Sequence, residues 1–185
     1  MSASEVERTL VRLAHQIAEK SEDAEPGTIA ANAGDSASGP ALIGIERRGV
    51  PLAARLAKLL SGIEKKPVDV GRLDISFYRD DLSTHGPRPV VKPSPIGFDV
   101  TGRDIILVDD VLYTGRTTRA ALDAVFDQGR PRRIELLVLI DRGHRELPVE
   151  ATYVGRTIQT TQHEIVEVRL AEVDKEEQVV LVQRD

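Results

Sequence analysis

Two adjacent carboxylates, Asp109 and Asp110, stand at the end of an apolar run, Ile105 to Val108. A ligand loop follows them: Val111, Leu112, Tyr113, Thr114, Gly115, Arg116, Thr117 and Thr118. Backbone N–H groups of such a loop, with the start of a following helix, cradle a phosphate. The hydroxyls of Thr114, Thr117 and Thr118 add donors. Carboxylates do not face a phosphate; they suit sugar hydroxyls or a hydrated Mg²⁺ one sugar-length away. A ligand that joins a 5′-phosphate, a ribose and a metal-bound diphosphate meets all three demands. A plain strand–turn–helix would need neither the acid pair nor the threonines.

These groups need elements to hold them. The apolar run reads as a strand buried on both faces, and Arg119 to Phe126 as an amphipathic helix ended by Gly129 and Pro131. A strand–loop–helix unit places ligand groups at the carboxyl end of a parallel strand. Upstream, Val6, Leu10, Leu13 and Ile17 space a helix over 4–20, and 21–40 reads as a low-complexity loop. Ala41–Ile45 is a short buried strand, Val50–Leu60 a helix, and 68–77 a strand. Residues 79–98, rich in proline and charge, read as a long flexible loop. Downstream, 134–140, 151–155, 164–170 and 178–182 read as strands. The expectation is one α/β domain over 1–185, a parallel-sheet core with flanking helices.

Composition removes other classes. In 185 residues there is no cysteine, which excludes disulfides and thiol chemistry. The four histidines lack metal-ligand spacing. Neither Gly-x-Gly-x-x-Gly after a strand nor Gly-x4-Gly-Lys-Ser/Thr occurs, which removes the best support for dinucleotide oxidoreduction or P-loop hydrolysis. No apolar run approaches a membrane span and the first residues do not form a signal peptide, so the expected location is cytoplasmic, with no membrane partner. Net charge is −5, yet arginine outnumbers lysine about three to one, and the arginine fork suits phosphate.

The strand, acid pair, Thr-Gly-x-Thr loop and helix together resemble the phosphoribosyl-pyrophosphate (PRPP) signature of type I phosphoribosyltransferases. Four further segments narrow the resemblance: Arg12–Ile17, Leu73–Leu82, Val138–Pro148 and Tyr153–Gly155. With Gly129-Arg-Pro131 they are similar to PyrR-type bifunctional proteins, which regulate pyrimidine operons and carry uracil phosphoribosyltransferase activity. The resemblance spans about residues 6 to 182 and implies a type I core with a small C-terminal hood. It implies the reaction of uracil with PRPP to give UMP and pyrophosphate, with Mg²⁺ as cofactor. Asp109 and Asp110 would hold the ribose hydroxyls, and the Mg²⁺ brought by PRPP directly or through water. Tyr113 to Thr118 would hold the 5′-phosphate, and Arg47 and Arg48 the pyrophosphate. Arg79 would close over PRPP within a lid formed by 79–98. Asp141, Arg142 and the hood near Ile165 would meet the nucleobase. No general base stands out, which suits a dissociative reaction.

The same resemblance implies a second partner, the leader RNA of pyrimidine operons, bound under control of UMP or UTP by a homo-oligomer, a dimer or higher. Arg8, Arg12 and His15 share a helix stripe, and Arg145 and Arg156 match basic positions of the family's RNA face. The chain departs from the family pattern at Val11, Glu150 and 159–164, which thin that decoration, and Arg47 replaces a usual threonine. Two other readings stay open: a PRPP- or nucleotide-binding regulator without turnover, and a transferase for another base with no RNA role.

Overall fold

The computed structural model describes residues 1–23, 39–78 and 95–183. Helix α1 (Ala3–Asp23) leads into strand β1 (Ala41–Ile45), helix α2 (Gly49–Glu64) and strand β2 (Val70–Leu73). Strand β3 (Asp104–Leu112), helix α3 (Arg116–Phe126), strand β4 (Arg133–Asp141) and strand β5 (Tyr153–Thr157) complete the core. Strand β6 (Glu164–Arg169), the short helix α4 (Ala171–Asp174) and strand β7 (Gln178–Gln183) form the hood.

The main sheet has the order β2-β1-β3-β4-β5, and every neighbouring pair is parallel. Both faces of its central strands are apolar, as burial on two sides requires. Leu42, Ile106, Val108, Leu137 and Leu139 pack under α1 and α2. Ile43, Ile45, Ile105, Leu107 and Val138 face the opposite way, toward Ala120, Ala121, Ala124 and Val125 of α3. The α1 stripe of Val6, Leu10, Leu13 and Ile17 is fully in the core. The hood is an antiparallel β6–β7 pair; Val166, Val168 and Val179 join it to the α1/α2 side of the core.

Element boundaries differ from the sequence expectations for identifiable reasons. Helix α1 runs on to Asp23, into the span read as loop, because nothing in Ser21-Glu-Asp23 forbids a helix; the first breaker is Pro26. Strand β3 does not stop at Val108 but includes both acids and ends at Leu112. Its partner β4 supplies hydrogen bonds that far, with Leu112 opposite Asp141. Strand β2 is shorter than 68–77. Asp74 closes it with an Asx turn, its Oδ1 accepting from the Ser76 N–H at 2.8 Å and the Ser76 hydroxyl at 2.6 Å. Helix α3 begins at Arg116, so Thr117 and Thr118 lie in its first turn and not in a loop. Among the described residues, no helix is long and apolar enough to cross a membrane.

Candidate functional site

In an open parallel sheet, ligands bind where the strand order reverses. Here the chain goes from β1 outward to β2, then returns to β3 on the other side of β1. The reversal therefore lies between the carboxyl ends of β1 and β3, and two of the sequence-predicted groups flank it. From β1 the chain continues through Glu46, Arg47 and Arg48 into α2; the Glu46–Arg47 peptide is cis. From β3 come Asp109, Asp110 and the threonine loop.

Gly49 seats the arginine loop. A Cβ at Gly49 would collide with the Val108 carbonyl oxygen, so only glycine lets the start of α2 lie directly on β3 beside the acids. Pairing of β3 with β1 ends at Val108, opposite Gly44. Asp109 and Asp110 thus keep β4 as neighbour on one side and open toward the arginine loop on the other. Each acid also fixes local backbone: Asp109 Oδ1 accepts from the Asp110 N–H at 2.9 Å, and Asp110 Oδ1 from the Val111 N–H at 3.0 Å. Asp109 is buried and Asp110 half-buried.

The threonine loop turns into α3 through Gly115, whose φ of 91° is left-handed and favours glycine. The Thr114 carbonyl accepts from the Glu146 and Leu147 N–H groups at 3.0 and 3.1 Å, so the 143–149 segment braces the loop from outside. Arg116 gives Nε to Glu146 Oε2 at 2.8 Å. Tyr113 is exposed, Thr114 and Thr117 are half-buried, and Thr118 is buried.

Asp141 and Arg142 arrive at the same end of the sheet because β4 pairs with β3; the Arg142 N–H donates to the Leu112 carbonyl at 3.1 Å. Arg142 is buried, with its guanidinium 4.1 Å from the Tyr113 ring centroid. It donates to Thr160 Oγ1 at 3.2 Å and the Thr161 carbonyl at 3.1 Å, bridging the threonine loop and the 158–164 segment. Asp141 accepts from the Gly143 N–H at 2.9 Å and pairs with Arg145 at 2.5 Å.

A cleft of about 510 Å³ opens between Arg48 and Asp110 on the core and Val166 to Arg169 of the hood. Ile165 lies one residue before that wall, paired with Val182. Arg79 and most of the 79–98 loop lie outside the described residues. Sequence reasoning missed Asp174, which also lines the cleft. It grips Arg48 in a two-pronged pair, Nε to Oδ2 at 3.0 Å and Nη2 to Oδ1 at 2.7 Å. Arg48 holds the Asp174 carboxyl down to about 2, helped by the Leu170 N–H. The reciprocal pairing raises the Arg48 guanidinium above its ordinary value. Only the run of acids from Glu172 to Glu177 hinted at this role.

The proposed RNA residues divide. Arg12 and His15 are exposed on α1, and Arg156 is exposed on β5, which packs against α1. Arg12 donates to the Val154 and Gly155 carbonyls at 3.2 and 2.5 Å, and Arg156 pairs with Glu5 at 3.2 Å. Arg145 stands apart from that stripe. Its guanidinium serves Asp141 and the carbonyls of Val149, Tyr113 and Gly143, so it holds the brace of the threonine loop together.

The family model of the phosphoribosyl transferase domain matches residues 8–172. A protein of Thermus thermophilus named bifunctional protein PyrR is 51% identical over 185 residues, covering 100% of this chain and 95% of its own length. One of the same name from Roseiflexus sp. is 53% identical over 174 residues, covering 94% and 88%. Among solved structures, the hypoxanthine phosphoribosyltransferase of Trypanosoma cruzi superposes with a TM-score of 0.68 at 18% identity, covering 100% of this chain and 95% of that one. A hypoxanthine-guanine phosphoribosyltransferase of Bacillus anthracis gives 0.67 at 21%, covering 99% and 95%. At those identities the structural likeness is one of fold, and it matches the parallel sheet with its flanking helices. By its own sequence, this chain belongs to the phosphoribosyl transferase family and, within it, to the bifunctional PyrR proteins.

Proposed function

We propose that the chain transfers the phosphoribosyl group of PRPP to uracil, giving UMP and pyrophosphate. We propose further that it binds the leader RNA of pyrimidine genes under control of uridine nucleotides. The observation that carries the reading is the meeting of an arginine loop, an acid pair and a threonine loop at one switch point, in a chain half identical to proteins named bifunctional PyrR.

The roles follow from charge and position. The N-terminus of α3 and the hydroxyls of Thr114 and Thr117 take the 5′-phosphate. Asp109 and Asp110 hold the ribose hydroxyls. They would also hold Mg²⁺, directly or through water, and the ion when bound would supply neutralising charge for the leaving diphosphate. Carboxylate oxygens are the donor type that such an ion takes. Arg47 and Arg48 face the diphosphate as the C1–oxygen bond breaks and the bond to a uracil ring nitrogen forms, the proton leaving that nitrogen. Asp141 and Arg142 present the nucleobase pocket beside the phosphate loop. Arg79 and the 79–98 lid exclude water from the cationic sugar. The exposed Arg12, His15 and Arg156, with the half-buried Arg145, offer phosphate contacts to RNA. In this reading the chain works in the cytoplasm as a homo-oligomer.

The test is twofold. Purified protein should make UMP from uracil and PRPP only with Mg²⁺ or a similar divalent ion, and uracil should be preferred over hypoxanthine and guanine. In gel shifts, the gene's own 5′ leader should bind more tightly with UMP present. Turnover of another base in place of uracil would overturn the transferase assignment. A leader bound no better than unrelated RNA would overturn the regulatory one.

A further inference from the structure

Three arginine contacts dock the acidic segment 172–177 onto α2 and the residue that precedes it. Arg55 holds Glu172 and Glu177, with oxygens 2.6 and 2.5 Å from its nitrogens, and Arg48 holds Asp174. The first two are away from the cleft lining; the third is in it. Arg48 is also the half-buried guanidinium on the loop that must receive the diphosphate. Its planar fork already carries a carboxylate in the two-pronged geometry that a phosphate oxygen pair would adopt. A diphosphate cannot take that fork while Asp174 keeps it. Asp174 is also tethered from below: the Leu170 N–H donates to its Oδ2 at 2.9 Å, and α4 is a single turn on the hood.

We propose that Asp174 is an intramolecular competitor of the diphosphate for Arg48. Resting on the transferase reading, this assigns Asp174 the setting of diphosphate affinity in the free chain. When the leaving group of PRPP, or product pyrophosphate, enters, the carboxylate and the phosphate exchange places on one guanidinium. The Arg55 clasp keeps the rest of the segment docked, so the exchange is local to α4. The pair also opposes retention of pyrophosphate after transfer, because the carboxylate is tethered beside the site at high effective concentration.

Binding of inorganic pyrophosphate in EDTA, measured by calorimetry, tests this without any contribution from metal. Asp174→Asn keeps the side chain's size and an oxygen for the Leu170 N–H but removes the charge. It should bind pyrophosphate roughly two- to fivefold more tightly than the parent, the range expected for releasing a partly screened ion pair. Asp174→Glu, which keeps the charge, should stay close to the parent. UMP occupies the threonine loop and does not reach Arg48, so its affinity should be the same in all three proteins. Equal or weaker pyrophosphate binding by the folded Asn variant overturns the competitor. So does tighter binding of UMP by the same factor, which would mean a generally loosened hood. Failure of the parent and both variants to bind pyrophosphate, with or without Mg²⁺, overturns the transferase site itself and the inference with it.

Discussion

Asp109 and Asp110 occupy consecutive positions on a strand, so their side chains leave opposite faces, and one is buried while the other lines the cleft. Substituting both by Asn preserves volume and the local N–H contacts but removes the charge proposed to face ribose and metal. PRPP-dependent turnover should fall by about 10²–10³-fold, the loss typical of removing preorganised electrostatic contacts, with little change in the melting temperature. Full turnover in the double variant would remove the acid pair from the site. Gly49 supports the opposite kind of prediction. Its missing Cβ is the only space between α2 and the Val108 carbonyl. Gly49→Ala should destabilise the fold by about 1–3 kcal/mol, the usual cost of overpacking, and displace the Arg47–Arg48 loop. A thermal melt with PRPP titration checks both, and an Ala variant as stable as the parent would contradict the close approach.

At the scale of elements, the hood is joined to the core by a small apolar seam and by arginines of α2. Arg55 makes hydrogen bonds to both oxygens of Glu172 and Glu177, and their carboxylates push its guanidinium above its ordinary value. Removing it with Arg55→Met takes the guanidinium from exposed Glu172 and half-buried Glu177 and should cost about 1 kcal/mol. The loss should be local. Amide exchange should quicken in β6 and β7 and stay slow in β1, β3 and β4. Uniform quickening would show that the hood and core open as one unit. The Asp174 contact adds a pH dependence. Its carboxyl sits at about 2 in the fold because of Arg48, against an ordinary 3.8. A depressed carboxylate stabilises fully above its unfolded value and loses that contribution as pH falls toward the folded one. The difference in melting temperature between the parent and Asp174→Asn should therefore be constant from pH 6 to 8. It should shrink from about pH 5 downward. A difference unchanged at about pH 3 would deny the ion pair its energetic role.

The whole molecule is acidic, with a net charge of −5, so a nucleic-acid partner must meet a local basic face. The α1–β5 face has Arg12, His15 and Arg156, but Glu5 neutralises Arg156 in the free chain. The Ser2 N–H, and then Arg156, hold the Glu5 carboxyl down to about 2, so it stays ionised at working pH. Neutralising Arg12 and Arg156 with glutamine should weaken leader binding and reduce the salt slope by about 1.4–1.8 units, since each phosphate contact contributes about 0.7–0.9. Glu5→Gln should act in the opposite sense, freeing Arg156 and tightening binding. Uracil transfer should be insensitive to all three changes, which lie outside the switch-point cleft. An unchanged salt slope in the double variant would place the RNA face elsewhere.

The local pattern sufficed for the central unit. An apolar run, two acids, a glycine–threonine loop and an amphipathic helix are contiguous, so strand β3, the threonine loop and α3 were legible from Asp104 to Phe126 within a few residues. Resemblance singled out the arginine loop and the Asp141–Arg142 segment, and β1 and β4 carry both to the same sheet end. Boundaries escaped because neighbours set them: β3 includes its acids only because β4 pairs that far. The Arg48–Asp174 and Arg55 clasps escaped for a similar reason. Their partners lie more than a hundred residues apart in sequence, and no spacing rule links an arginine on α2 to an acid in the hood. Tertiary structure also gave Arg145 its local partners. Sequence gives an arginine's charge, but only packing decides that this one is half-buried against carbonyls and Asp141 while Arg12 and Arg156 stay exposed. Contiguous chemistry can be read along a chain, because covalent spacing fixes it; the pairing of distant charges follows from packing, which sequence order does not encode locally.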